Sequence, residues 1–543
     1  MRLKQQIPAS LRLAAAAVMA VGLFASGRGV SASEQNPPAP SPRQTPAAQQ
    51  PSTQVPPNTL KISVDEAVKM ALQNNLNIKA EQLTPQIATY GVAQARAVYA
   101  PLLFSQTTSR SSTSPPNDFL NGNETILTND SFRTSGGLQQ FTPWGGGRYN
   151  VSLDAGRLTT TSLSNRFNPQ LDSNLVASYT QPLLRNFKFD NNRQNLMLSE
   201  KIQQIADIQL RQTLTQTSRQ VRSSYFDLLN AVAGYQVALQ SLELAQTSLK
   251  NNRRRVEVGT IAPIEIVQAE AEVAANEESV IVAEGQIRTA EDRLRTLVMN
   301  PSQPDFWTTK LEPSDEPTLT PQAVDVDGAI ANALANRTDL AQLKKQVEET
   351  DINLRFYKNQ KMPALDVTGN YNLVGTAGTQ RVFDLNSPLY PPPILSSSQR
   401  SFSDALRDVF GNEFKTWSVV LNVSYPLGTS IADAALAQGR LQRDQQTTSI
   451  HDLETQIVFS VREAGRQVNT SLKRVESTRK ARELAEQSLQ AEEKRVAVGL
   501  SDTFRVLQAQ RDLARQRVSE LNAIIAYNKS LIDFEAVQTV PLR

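Results

Sequence analysis

A chain of 543 residues is long enough for several domains, yet only 39% of it is hydrophobic and 6% aromatic, which is thin for a set of compact cores and favours an elongated architecture. Its 56 basic and 53 acidic residues are spread along the chain to a net charge of +3, so there is no basic footprint for nucleic acid. Zero cysteines exclude disulfides, thiolate chemistry and a lipidated N-terminal cysteine.

The chain opens with Arg2, Lys4 and Arg12, then the apolar run Leu13 to Ala25, then Val30-Ser31-Ala32 with small residues where a signal peptidase reads. Residues 1–32 therefore read as a cleaved export signal. The apolar run is too short for a spanning helix, which needs roughly twenty residues, and no other stretch qualifies. A membrane protein with this sequence has to be a β-barrel. Residues 33–59, rich in Pro, Gln and Ser, read as an extended, disordered tether.

Folding is expected to start near Leu60. Ser63-Val-Asp-Glu66 has the form of a capping box, and Ala67, Met70, Ala71, Ile78 and Leu83 follow at roughly helical spacing. This predicts one helix of about 35 residues, roughly 50 Å, running to Tyr99-Ala100-Pro101. Strands are expected at Leu102 to Ser112 and Asn174 to Gln181. An extra hairpin, Phe132 to Thr142 and Tyr149 to Leu158 around the turn PWGGG, either extends the same wall or forms an outer loop. Next comes a long helix, about 196–254, whose Val221, Tyr225, Leu228, Val232, Tyr235, Leu239 and Leu242 form a heptad seam. A turn at Gly259 and a helix near 263–299 complete a unit spanning 60–300.

Residues 301–323 form a linker whose prolines 301, 304, 313, 317 and 321 forbid a continuous helix. The pattern then starts again over 324–538. A single offset of 262 maps Ala67 to Ala329, Ala71 to Ala333, Asn74 to Asn336 and Pro101 to Pro363 without a gap. In LDVTGNYNL and TWSVVLNVSY, apolar Leu365, Val367, Tyr371 and Leu373, and Trp417, Val419, Leu421, Val423 and Tyr425, alternate with mostly polar neighbours. Strands of about ten residues with one apolar face fit a membrane barrel, although a half-buried strand in a soluble sheet has the same period. A second long helix, about 432–494, a turn at Gly499 and a helix near 503–538 follow, leaving 539–543 as a tail. RRVEVG, ending at Gly259, recurs as KRVAVG, ending at Gly499, with Gln268-Ala269 recurring as Gln508-Ala509.

These features resemble the TolC family of outer-membrane efflux proteins, over about 60–538. The residues behind the resemblance are the duplicated pattern, the Arg-x-x-x-Gly turns at Arg255 to Gly259 and Arg495 to Gly499 followed by Val-Gln-Ala and Leu-Gln-Ala, and the helix-to-strand prolines Pro101 and Pro363. The resemblance implies an α+β membrane protein: a homotrimer with an outer-membrane β-barrel of about four strands per subunit, continued by a long periplasmic α-helical barrel of coiled-coil hairpins. It implies a passive exit duct for efflux or type I secretion, driven by an inner-membrane transporter through a periplasmic adaptor. It places Arg255, Val256, Gly259, Arg495, Val496 and Gly499 at periplasmic tips that dock the adaptor. Family members carry acidic side chains six and nine residues after the second tip glycine; here those places hold Arg505 and Gln508, against Glu265 and Gln268 in the first repeat. Mutual attraction of Glu265 and Arg505 around a closed tip is the expected gate.

No catalytic constellation, cofactor motif or metal-ligand set stands out: His451 is the single histidine, and there is no G-x-x-x-x-G-K-[ST] loop. The competing reading is a periplasmic adaptor or coiled-coil scaffold. Such a protein usually has one hairpin nested within β domains, whereas this chain has two in tandem.

Overall fold

The computed structural model describes residues 59–116, 121, 126–163, 165–316, 319–384, 386–388 and 392–538. The export signal, the tether up to residue 58 and the tail 539–543 lie outside them. The described chain forms two spatial units that cut across the tandem halves. Strands from both halves, within Val98–Lys188 and Pro363–Tyr425, make one unit, and helices from both halves make the other.

The strand unit is a single sheet. Strands β2 (Leu102–Ser114), β3 (Leu127–Phe141), β4 (Arg148–Thr160), β5 (Phe167–Pro182) and β7 (Ala364–Phe383) pair antiparallel in that order. The far side of β7 carries β9 (Lys415–Ser424) along its first half and β8 (Ile394–Arg400) along its end. The hairpin left open by the sequence, β3–β4, therefore lies inside the sheet between β2 and β5. Among the described residues the sheet has seven strands, against the about four per subunit that the resemblance implied for a barrel; six of them start or finish where the chain joins the helices or, for β3 and β4, in register with those that do.

Because directly opposed residues share a face, the registers define two continuous surfaces. Leu138 opposes Val151, Val151 opposes Ala177, Ala177 opposes Tyr371, and Tyr371 opposes Trp417. With Leu153, Leu175, Val419, Leu421 and Val423 they make an apolar face, on which Trp417, Val419, Leu421 and Val423 are 58–70% exposed. The opposite face carries Arg133, Ser152, Asp154, Asp172, Asn174, Thr368, Asn370 and Ser418. It forms a polar concavity lined by Gln106, Arg110, Arg133, Asp154 and Asp172. There the Phe104 ring lies over Gly137, where a Cβ would stand 2.9 Å from it.

In the helical unit, α4 (Asn191–Glu257) and α9 (Ile431–Ala497) are both 67 residues, roughly 100 Å, and α5 (Ile264–Val298) and α10 (Thr503–Val537) are both 35. The predicted seam is the buried face of α4: Val221, Tyr225 and Leu228 are fully buried against α5 and α1 (Val64–Asn74). The predicted linker is more ordered than its prolines suggested. Its β6 (Lys310–Pro313) pairs parallel with β1 (Thr59–Ile62), a strand the sequence did not signal. Asp315 accepts from the Tyr225 hydroxyl at 2.7 Å and from the Val64 amide at 3.0 Å. Burial first, then this carboxylate, pushes the Tyr225 hydroxyl pKa up.

The single helix expected before Pro101 is broken into α1, α2 (Leu76–Glu81) and α3 (Leu83–Ala97). Asn75 makes the main break. It leaves helical geometry at φ −60°, ψ 125°, accepts from the amides of Asn77 and Ile78, and donates to the Leu297 carbonyl at 3.0 Å. One buried amide thus starts α2 and satisfies a carbonyl at the end of α5, where the two shorter columns meet beside α4. Arg337 takes the corresponding place between α6 (Val326–Asn336) and α7 (Thr338–Gln360), held by Asp339 and Ser460. Replacing Asn75 by alanine is expected to cost about 1–2 kcal/mol, because it removes an N-cap and leaves a part-buried carbonyl unpaired. Thermal unfolding of the detergent-solubilised protein checks this, and an unchanged midpoint would mean the break is not held by Asn75.

Candidate functional site at the helical tips

The repeated motif builds the same turn twice. At the end of α4 the Gly259 amide donates to the Val256 carbonyl at 2.9 Å and the Thr260 amide to the Arg255 carbonyl at 2.8 Å. At the end of α9 the Gly499 amide donates to Val496 at 3.2 Å and Leu500 to Arg495 at 2.8 Å. This is the Schellman closure, and it needs a left-handed residue after the cap. Gly259 and Gly499 both sit at φ 77°, and nothing lies within 4 Å of where a Cβ would stand. Backbone conformation, not crowding, demands glycine there. Four of the sequence-predicted docking residues, Arg255, Val256, Arg495 and Val496, therefore serve the turn first through their carbonyls.

Their side chains differ between the copies. Arg495 pairs with Glu492 at 2.7 Å, and Glu492 also accepts from the Ser501 hydroxyl at 2.7 Å. Ser501, then Arg495, holds the Glu492 carboxyl below the usual carboxylate range. In the first copy it is Arg253 that pairs, with Glu270 across the hairpin at 2.8 Å. The helices restart differently too. Asp502 caps α10 by accepting from the Arg505 amide at 2.9 Å, whereas Pro263 begins α5 without a side-chain cap.

Sequence reasoning missed the apolar surface of these turns. Val258, Ile264 and Val267 on the first tip, and Val498, Leu500 and Phe504 on the second, are each 53–79% exposed. The signal was available: apolar residues flank a turn glycine that cannot be buried inside its own hairpin. Between the end of α4 and the second tip runs a groove of about 640 Å³ lined by Asn252, Arg255, Glu493, Val496, Leu507 and Gln510. Asn252 is buried there, and its side-chain nitrogen has no hydrogen-bond partner.

Glu265 and Arg505 occupy the first turns of α5 and α10 but do not pair within the chain. Glu265 is half-buried, with Oε2 unpartnered; Arg505, Gln268 and Gln508 are exposed. The ion pair that does join the two hairpins near the tips lies further along these helices. Glu272, 6% exposed, receives the Arg511 guanidinium at 2.5 and 2.7 Å. The contact between α4 and α10 carries a series of polar pairs, with Arg517 donating to Gln240, Asn230 to Asn522, Lys529 to Asp227 at 2.6 Å and Arg219 to Asp533 at 2.7 Å. None of the buried apolar clusters among the described residues spans α4 and α10. His451 is exposed on α9, 3.3 Å from Glu454.

Alanine at Gly259 or Gly499 should destabilise its turn by about 1–2 kcal/mol, the cost of a Cβ in the left-handed region, and asparagine should cost less. Amide hydrogen exchange across the turn is the measurement. Exchange that is unchanged in both alanine variants would show that the left-handed turn is not why glycine stands there.

The family model described as outer membrane efflux protein matches residues 148–298 and 329–536. No curated protein matches the chain by sequence. Among solved structures, the fold is similar to the CmeC outer membrane channel of Campylobacter jejuni, with 13% identity, a TM-score of 0.62, and coverage of 92% of this chain and 94% of that one. It is likewise similar to the outer membrane protein VceC of Vibrio cholerae, at 16% identity and TM-score 0.59, covering 88% and 96%. A third similar structure is the open state of the MtrE outer membrane channel of Neisseria gonorrhoeae, at 14% identity and TM-score 0.58, covering 91% and 97%.

Proposed function

The chain belongs to the outer membrane efflux protein family, and from that premise we propose that it is a passive exit duct in the outer membrane, carrying cargo delivered by a periplasmic adaptor and an inner-membrane transporter. Members of this family are outer-membrane channels, not enzymes. The observation that carries the reading is the two-faced sheet with its two open sides. An apolar face exposing Trp417, Val419, Leu421 and Val423 suits acyl chains, and a concave face bearing Arg133, Asp154 and Asp172 suits water.

The outer strands β2 and β9 each have one neighbour. Lipid does not tolerate unpaired strand edges, so the sheet has to close through other copies, head to tail. Three copies, the number the family resemblance implies, would close with six strands each, a wall of about eighteen, wider than four strands per copy would give. The protein should sediment with outer membranes and run as a trimer in mild detergent. Single cysteines on β4 should alternate, Asp154→Cys, on the polar concavity, reacting with a water-soluble maleimide and Val151→Cys protected. Release by salt alone, or equal reactivity at both positions, would sink the reading in favour of a periplasmic scaffold.

The tips are the docking surface in this proposal. Val258, Leu500 and Phe504 supply apolar anchors, Arg255 and Arg495 supply flanking donors, and the groove beside Asn252 receives a partner helix. Leu500→Asp combined with Val258→Asp should abolish efflux while leaving outer-membrane levels and trimer formation unchanged; drug susceptibility and membrane yield, measured together, decide this. The gate follows from the seam. Pairing of Glu265 with Arg505 between neighbouring copies, with Gln268 and Gln508 beside them, narrows the closed tip, and Glu272–Arg511 ties the two hairpins of one chain. A single exposed pair contributes only about 0–1 kcal/mol, so the lock works as a ring. Closed-state conductance in planar bilayers should rise for Glu265→Ala and Arg505→Ala; no change in either variant removes the ring from the mechanism.

A further inference from the structure

Between β8 and β9 the chain makes an excursion that the family reading leaves unused. Helix α8 (Phe402–Phe410) is closed at its start by a capping box, Ser401 with Asp404, and lies against β7 and β5. Its seat is specific. A Cβ on Gly375 would stand 1.9 Å from the Ala405 carbonyl, so only glycine admits the helix at this height. Ala405 and Val409 are fully buried, as are Ala377 and Ser173, and Leu373 is nearly so. Arg400 grips both Asp408 oxygens at 2.8 and 2.9 Å and the Thr376 carbonyl at 3.1 Å, fixing the helix to the strand.

The side on which it sits is decided by register. Gly375 shares a face with Tyr371, which opposes Trp417, so α8 lies on the apolar face, on the outside of the proposed wall. Its height follows from the strand. The chain enters β7 from the helices at Ala364, and Gly375 lies about eleven residues on, roughly 35 Å of strand, which at a tilt of about 40° is roughly 25–30 Å, the height of a barrel's apolar band. Helix α8 thus sits at the border of that band, just beyond the midpoint of β7 as the strand runs from Ala364.

At 100° per residue, Phe402, Leu406 and Phe410 fall on one flank of α8 and Asp404 and Arg407 on the other, with Ala405 and Val409 between, on the sheet. Phe410 is 70% exposed and the Arg407 side chain 84%. The helix therefore covers one apolar surface and presents another. In water that exchange gains little, but at an acyl chain–headgroup boundary both flanks are satisfied.

We propose that α8 is an interfacial helix resting in the outer leaflet, its Phe402–Leu406–Phe410 flank among the upper acyl segments and Arg407 among the anionic headgroups. The occupant of this surface is lipid, and the assignment rests on the outer-membrane wall proposed above. Because the chain has no cysteine, single-cysteine variants are direct. Phe410→Cys, Arg407→Cys and Val419→Cys would each carry a bimane label in liposomes containing nitroxide lipids. The label at position 410 should be quenched at least about twofold more by a nitroxide near the headgroup than by one at mid-chain, as for a side chain roughly 5–10 Å deep. Position 407 should respond to aqueous iodide, and position 419 to the mid-chain nitroxide. Quenching of position 410 by iodide alone, with position 419 still lipid-quenched, overturns the interfacial helix and leaves the wall standing. Loss of lipid quenching at position 419 overturns the wall and the helix assignment with it.

Discussion

The structure depends on where apolar surface is buried along the helices. Inside each hairpin the packing is hydrophobic: Val221, Tyr225, Leu228 and Leu294 in the first, and Val468, Val475, Ala523 and Tyr527 in the second. Between the hairpins, α4 meets α10 through amides and ion pairs. Burial of a leucine-sized side chain is worth about 1.5–3 kcal/mol, whereas a partly exposed ion pair contributes about 1 kcal/mol or less. Each hairpin is therefore a stiff body, and the seam between them is the softer part. Opening of the proposed duct by sliding one hairpin on another draws on this division, since a continuous apolar seam would cost far more to shear.

The tip turns follow from the same division. Once two helices must pack along a hydrophobic seam, the chain has to reverse within a few residues, and Gly259 and Gly499 allow it at φ 77° with their neighbours' carbonyls paired. The reversal leaves Val258, Leu500 and Phe504 outside any hairpin core. Tip apolarity is thus a by-product of the turn, and the docking surface proposed above makes use of it. Charge differs between the copies where the turn does not constrain it: Asp502 and Glu492 organise the second tip, while Pro263 opens α5 without them.

In the sheet the governing requirement is the pairing of every backbone group that lipid would surround. In the proposed wall it accounts for the continuous pairing from β2 to β9 and for the inclusion of β3–β4, whose Leu138, Val151 and Leu153 continue the apolar face. Helix α8 lies on that face at Gly375, where the strand lacks a side chain.

Periodicity and punctuation in the sequence determined the elements, because they are local properties. The heptad at Val221 to Leu242, the alternation at Trp417 to Tyr425, the repeated turn glycines and the helix-ending Pro101 and Pro363 each report on a few neighbouring residues. The duplication added order, and with it the family. What the tertiary structure alone decided are the long-range pairings. The placement of β3–β4 in the sheet, the parallel bridge of β1 with β6, the break at Asn75 and the ion pair of Glu272 with Arg511 all join residues that sequence leaves far apart. Glu265 and Arg505 do not pair within one chain, and the gate proposed for them lies between copies. Complementary charge at matching repeat positions fixes neither distance nor direction, so the sequence could not place the intrachain pair at Glu272 and Arg511.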